Sequence, residues 1–199
     1  PQGTADLHLG LSDLLREQNK PDAADEHLRN SQALGVQPGQ LVHEYHQCLV
    51  EARLKQSQDD LDGTLRLLDE AEELFTRIHI PDFRPAAALK IRALLASGHL
   101  AEARQWVTDR GLSVADDLSY LREFEHITLA RVLIAQYRAE RAVPLLDGAL
   151  RLLDRLLHAA EAGGRMGSAI EILLLQALTH EAQGDMAAAL KPLGRALTL

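Results

Sequence analysis

Arg53, Arg92 and Arg131 recur at intervals of 39 residues in a chain of 199 that is otherwise acidic, with a formal charge of −8. A guanidinium is a planar, permanently charged fork of donors. It suits a carboxylate, a phosphate or sugar hydroxyls. A fixed interval means that a repeated structural unit places the three, and two roles fit them. Each fork can meet an acid on an adjacent helix, such as Glu51 or Glu125, and support the packing. Alternatively, the three form a strip that docks a small polar or anionic ligand, or an acidic peptide. Tyr45, Tyr120, Tyr137 and Trp106 can line such a strip or pack in the core or rim.

The other chemistry-bearing residues point away from catalysis. His43 and His46 are the one histidine pair closely spaced on a helix face, and their neighbours Glu44, Tyr45 and Gln47 do not complete a zinc site. A solvated pair is the expectation. Asp59-Asp60-x-Asp62 lacks the mid-loop glycine and closing glutamate of a calcium loop, and reads instead as a helix cap. Ser12, Ser31 and Ser57 have no histidine and acid in a recognisable order and sit on no strand-turn-helix elbow. Cys48, the single cysteine, cannot form an internal disulfide and lies in an apolar stretch, as a small buried residue would. The chain is expected not to be an enzyme, with no metal and no cofactor in this segment.

Composition sets the elements that position these residues. Hydrophobic residues make up 46% of the chain, enough for a folded core, but aromatics only 4%. Leu and Ala dominate, and they lose little entropy in helices, whereas β-branched and aromatic residues favour strands. The class is all-α. The acidic balance and the lack of a basic stripe argue against nucleic-acid binding by this segment. No apolar run approaches the roughly 18 residues of a membrane span, and no signal segment opens the chain, so a membrane role is not expected and the cytoplasm is.

A repeat organises the whole. Ala24, Leu28, Ser31 and Leu34 stand at +4, +7 and +10, and the template recurs from Thr64, Ala103, Ala142 and Ala189. The starts are separated by 40, 39, 39 and 47 residues. These spacings put each set on one helical face, with small residues where a neighbour comes close. A breaker precedes each copy, and another amphipathic stretch precedes each breaker. The unit is therefore a helix, a tight turn and a second helix, repeated about five times. The repeats run approximately over 4–36, 41–78, 85–113, 119–158 and 168–199, as one domain. The long last interval places an insertion at Glu161–Ser168, read as a linker or a ligand loop, with Ser168 able to cap the next helix.

Ser97-Gly98-His99-Leu100-Ala101-Glu102-Ala103 and Gly184-Asp185-Met186-Ala187-Ala188-Ala189-Leu190 resemble the tetratricopeptide repeat. The long, Leu/Ala-rich units resemble more narrowly the superhelical domain of MalT-type regulators of the LuxR group. Glu51-Ala52-Arg53-Leu54, Leu129–Gln136 and above all Ala159–Leu199 carry that likeness. The resemblance implies an α-solenoid forming a right-handed superhelix, in which the register of Arg53, Arg92 and Arg131 faces the concave groove. It also implies a fragment of a larger protein whose ATPase and helix-turn-helix parts lie outside this segment, since neither a phosphate loop nor a basic recognition helix is found here.

The function expected is that of a sensing scaffold in a MalT-like transcriptional regulator, with a small-molecule inducer or a protein or peptide partner in the groove. The alternatives are a stand-alone adaptor that grips a peptide and, remotely, a hydrolase with an unrecognised site. Leu193, Ala196 and Leu199 continue the apolar template to the last residue, so self-association through an uncapped C-terminal repeat is a further expectation.

Overall fold

A computed structural model describes residues 2–34, 40–78 and 84–199. Among them are ten α-helices: α1 Gln2–Glu17, α2 Pro21–Ala33, α3 Leu41–Ser57, α4 Leu61–Phe75, α5 Ala86–Ala96, α6 Leu100–Asp109, α7 Glu123–Glu140, α8 Val143–Ala162, α9 Met166–Gln183 and α10 Met186–Ala196. The described residues contain no strand, as the Leu/Ala composition requires. Packing pairs α1 with α2, α3 with α4, α7 with α8 and α9 with α10, while α5 and α6 follow each other across a three-residue turn. The fold is an all-α succession of helical hairpins of the α-solenoid type.

Each hairpin turns on one residue in the left-handed region: Asn19, Asp59, Gly98, Arg141 and Gly184. In four of the five, the following amide reaches back to close the first helix. Lys20 N–H donates to Leu15, Asp60 to Lys55, His99 to Leu94 and Asp185 to His180, at 2.9–3.0 Å. This geometry caps carbonyls that a helix end leaves unsatisfied. The Asp60 and Asp185 side chains then cap the second helix by accepting from Gly63 and Ala188, as expected of Asp59-Asp60-x-Asp62. The fourth turn differs. Arg141 pays for its Cβ in the left-handed region with about 1 kcal/mol, and its guanidinium lies 5.6 Å from the Tyr137 ring centroid.

These turns correct the template. Counted between left-handed residues, the intervals are 40, 39, 43 and 43, so no insertion sits in 161–168. The additional length is about one helical turn in each of the last two intervals. α8 runs to Ala162, and only Gly163–Arg165 link it to α9. A shift of four residues along a helix returns to nearly the same face. The pattern from Ala142 therefore imitated the true one, which starts a turn later at the fully buried Leu146.

The helices form two compact units, Pro1–Pro81 with Pro85–Ala93, and Asp82–Arg84 with Leu94–Leu199. In the first, Leu9, Ala24, Leu28, Val50 and Leu54 make one cluster, and Tyr45, Leu49, Leu67, Leu68 and Ala86 another. In the second, Ile127, Leu146, Leu152, Leu153, Leu156, Ile172 and Leu173 form a single core across α7, α8 and α9, with Trp106 packed against it. Ala149, Ala160 and Ala169 are also buried there, as small residues are where helices approach closely. On α10 the template's Ala189 and Ala196 are buried while Leu193 is exposed, as is Leu199 beyond the helix end.

Candidate functional site

Arg53 projects from α3, where one Nη lies 2.8 Å from Asp13 Oδ2 on α1. Arg131 projects from α7, and its Nε and Nη2 lie 3.2 and 2.9 Å from Glu171 Oε1 on α9. Both pairs join the first helices of successive hairpins. Their acids are Asp13 and Glu171, not Glu51 or Glu125. Glu51 accepts from Gln32 instead, and the buried Glu125 is held by Arg122 and Arg110. Arg92, half-buried on α5, is engaged as well. Arg53 and Arg92 each stand six residues before the left-handed residue of their turn, and Arg131 stands ten before its own. Arg131 is therefore one helical turn further from its turn.

The Arg131–Glu171 pair borders a cavity of about 240 Å3 within the second unit, for Glu171 lines it. The start of α7 contributes Glu123, Phe124 and Ile127, preceded by Tyr120, and the start of α9 contributes Gly167 and Ser168. Arg84 and Arg165 supply positive charge. Arg165 is the keystone. Its Nε and Nη2 donate to Glu123 Oε2 at 2.9 and 2.6 Å, and Nη2 also donates to the Ala159 carbonyl. The guanidinium lies 5.2 Å from the Tyr120 ring centroid. The hydrogen bond that Arg165 donates to Glu123 raises its pKa above the ordinary value, so the charge is permanent. Arg84 similarly lies 5.8 Å from the Phe124 ring centroid.

The glycines of this turn have identifiable tasks. A Cβ on Gly163 would sit 1.7 Å from Arg165 Nη1, so its absence lets the arginine fold back. Gly164 takes the left-handed conformation at φ +67°. Arg165, not Ser168, is the residue that precedes α9, and Ser168 lies inside the first turn, facing the cavity. The stretch is thus a tight linker whose end contributes to a cavity wall.

A second polar cluster fixes the segment between α6 and α7. His126 is fully buried, with Nδ1 2.9 Å from the Arg122 carbonyl and Nε2 3.1 Å from Asp116 Oδ2. Arg155 on α8 donates to the carbonyls of Val114 and Asp116 at 2.7 and 2.5 Å. The Ser113 amide, and next the His126 ring, hold the Asp116 carboxyl below its ordinary pKa of 3.8. A depressed folded value gives a contribution that is full above pH 3.8 and lost as pH falls through the folded value. Asp116→Asn should lower stability by about 1 kcal/mol at pH 7. The gap to the parent should close only in more acid solution, as urea unfolding across a pH series would read. A gap independent of pH would mean that the ionised form of Asp116 contributes nothing.

The remaining sequence candidates fall elsewhere. His43 is buried with Nδ1 2.6 Å from Asp6 Oδ1, whereas His46 is exposed, so they do not form a solvated pair. The hydrophobic face of α3 turns His43 inward. Burial, with Glu70, Glu51 and Glu44 nearby, pushes the Cys48 thiol up to about 12, as an inert core residue requires. Among the described residues no group of three or more His, Cys, Asp or Glu could hold a metal. Nor is any helix among them long and apolar enough to cross a membrane.

Comparison with family models matches residues 2–199 to the MalT-like TPR region. Comparison with the curated proteins and with the solved structures returned no match. The hairpin succession, the capped turns and this match over nearly the whole length agree: the chain belongs to the family of MalT-like tetratricopeptide regions, a helical domain of MalT-like regulators.

Proposed function

We propose that this domain is the sensing scaffold of a LuxR-family transcriptional regulator in the cytoplasm, and that it binds a small molecule or a protein partner without catalysing a reaction. The observation that carries the reading is the cavity of the second unit, bordered by the Arg131–Glu171 pair. A built recess lined by permanent charges and aromatic rings is what a sensor needs and what a purely structural stack of hairpins does not. Arg53 and Arg92 carry the corresponding chemistry on the first unit. Tetratricopeptide adaptors that grip peptides share the scaffold, but a recess of about 240 Å3 favours a small ligand.

A thermal-shift screen of small anionic and zwitterionic metabolites, with acidic peptides included, should yield a binder. Arg131→Met should then weaken that binder by roughly ten- to a hundredfold, with the melting temperature of the unliganded chain little changed. Arg53→Met and Arg92→Met test the first unit in the same way. If melting drops while affinity holds in all three, the arginines only support the stack and the reading fails.

A further inference from the structure

The lining of the second unit's cavity is balanced. Arg84 and Arg165 bring two positive charges and Glu123 and Glu171 two negative ones, with Glu123 already joined to Arg165 and Glu171 to Arg131. A simple anion would meet two carboxylates, and a simple cation two guanidiniums. A wholly apolar molecule would have to desolvate all four. A ligand that carries both charges on neighbouring atoms meets the lining without excess of either sign.

The positions of the polar groups suit such a ligand. Ser168 and the first turn of α9 offer a hydroxyl and the amide donors that every helix start leaves without intrahelical acceptors. Glu171 lies one turn further along α9. Glu123 is buried, and Arg165 takes its Oε2 but not its Oε1. Phe124, Ile127 and Tyr120 give the same recess apolar wall. Its volume of about 240 Å3 holds a molecule of a few to about a dozen heavy atoms, not a peptide segment.

We infer that the cavity binds a free α-amino acid. The carboxylate meets Ser168, the α9 amides and Arg84, the ammonium meets Glu123 and Glu171, and the side chain lies along Phe124 and Ile127. The inference rests on the sensing role proposed above and names the class of molecule sensed. Gly167 offers an independent handle. A Cβ there would touch nothing within 4 Å and its φ is unstrained, so a larger side chain fills open space without disturbing the turn.

The test is isothermal titration of the 199-residue chain with each of the twenty free amino acids. The methyl ester and the N-acetyl derivative of the tightest binder follow. At least one amino acid should bind, each derivative should bind at least tenfold more weakly, and Gly167→Leu should abolish binding while melting as the parent does. The inference is overturned if the N-acetyl or ester form binds as tightly as the parent compound. It is also overturned if Gly167→Leu leaves binding intact, or if none of the twenty binds at millimolar concentration. Should none bind while another metabolite does so in a manner weakened by Arg131→Met, the amino-acid assignment alone falls. A binder indifferent to Arg131→Met and to Gly167→Leu removes the sensing reading with it.

Discussion

Arg165→Met should destabilise the chain by about 3 kcal/mol, because it leaves the Glu123 carboxylate buried without its partner. Glu123 is only 7% exposed at its side chain, and Arg165 donates two hydrogen bonds to its Oε2. Methionine keeps an apolar stem beside Tyr120, so the loss reads the ion pair more than the packing. Urea unfolding at pH 7, followed by fluorescence of Trp106, reports on this unit directly, since that residue is the chain's one tryptophan and packs on its core. The double variant Arg165→Met, Glu123→Gln should recover a large part of the loss, because it also removes the stranded charge. A loss below about half a kcal/mol in the single variant would place the pair with weak surface ion pairs. It would also deny it any role in holding the cavity wall.

Leu153→Ala should cost about 3–4 kcal/mol. Leu153 is fully buried in the core formed by α7, α8 and α9. Truncation removes the transfer free energy of three carbons and leaves a void that rigid helices cannot close. Leu190→Ala is the internal comparison. It removes the same atoms from a side chain that is 62% exposed on α10, and should shift stability by no more than about half a kcal/mol. Equal losses at the two positions would contradict the placement of the second unit's core. The same unfolding curves, read by the slope with denaturant as well as the midpoint, would show whether either change alters the area exposed on unfolding.

The hairpins were legible because their signals are local. Ala24, Leu28 and Ser31 lie within two helical turns of one another, and Asn19, Asp59, Gly98 and Gly184 belong to turns whose chemistry is written in three or four adjacent residues. The fourth copy was misplaced by one turn for a reason inherent in helical periodicity: Ala142 and Leu146 lie on nearly the same face. Arg141 concealed the true turn, since an arginine gives no hint of a left-handed backbone. The arginines were visible as a spacing, but the acids of Arg53 and Arg131 were not. Asp13 and Glu171 each lie 40 residues from the arginine they bind. The cavity was out of reach for the same reason. Glu123 and Arg165 are 42 residues apart, and only folding shows that the two glycines before Arg165 let it turn back. His43 and His46 illustrate the opposite error, where proximity in sequence suggested a pair that the two faces of α3 separate.

The ion pairs between successive first helices also bear on how the chain reaches this state. The Arg138 to Glu181 bond spans 43 residues, little more than one hairpin. Closing each loop therefore costs nearly the same entropy wherever it lies, and adding a hairpin lengthens none of them. Contact order stays low as such an array grows, and low contact order accompanies fast folding. A chain wired in this way can begin at any hairpin whose helices have met and extend outward from it, neighbour by neighbour. The Arg53–Asp13 and Arg131–Glu171 pairs are thus also a record of short-range assembly, in which neither waits for the distant end of the chain.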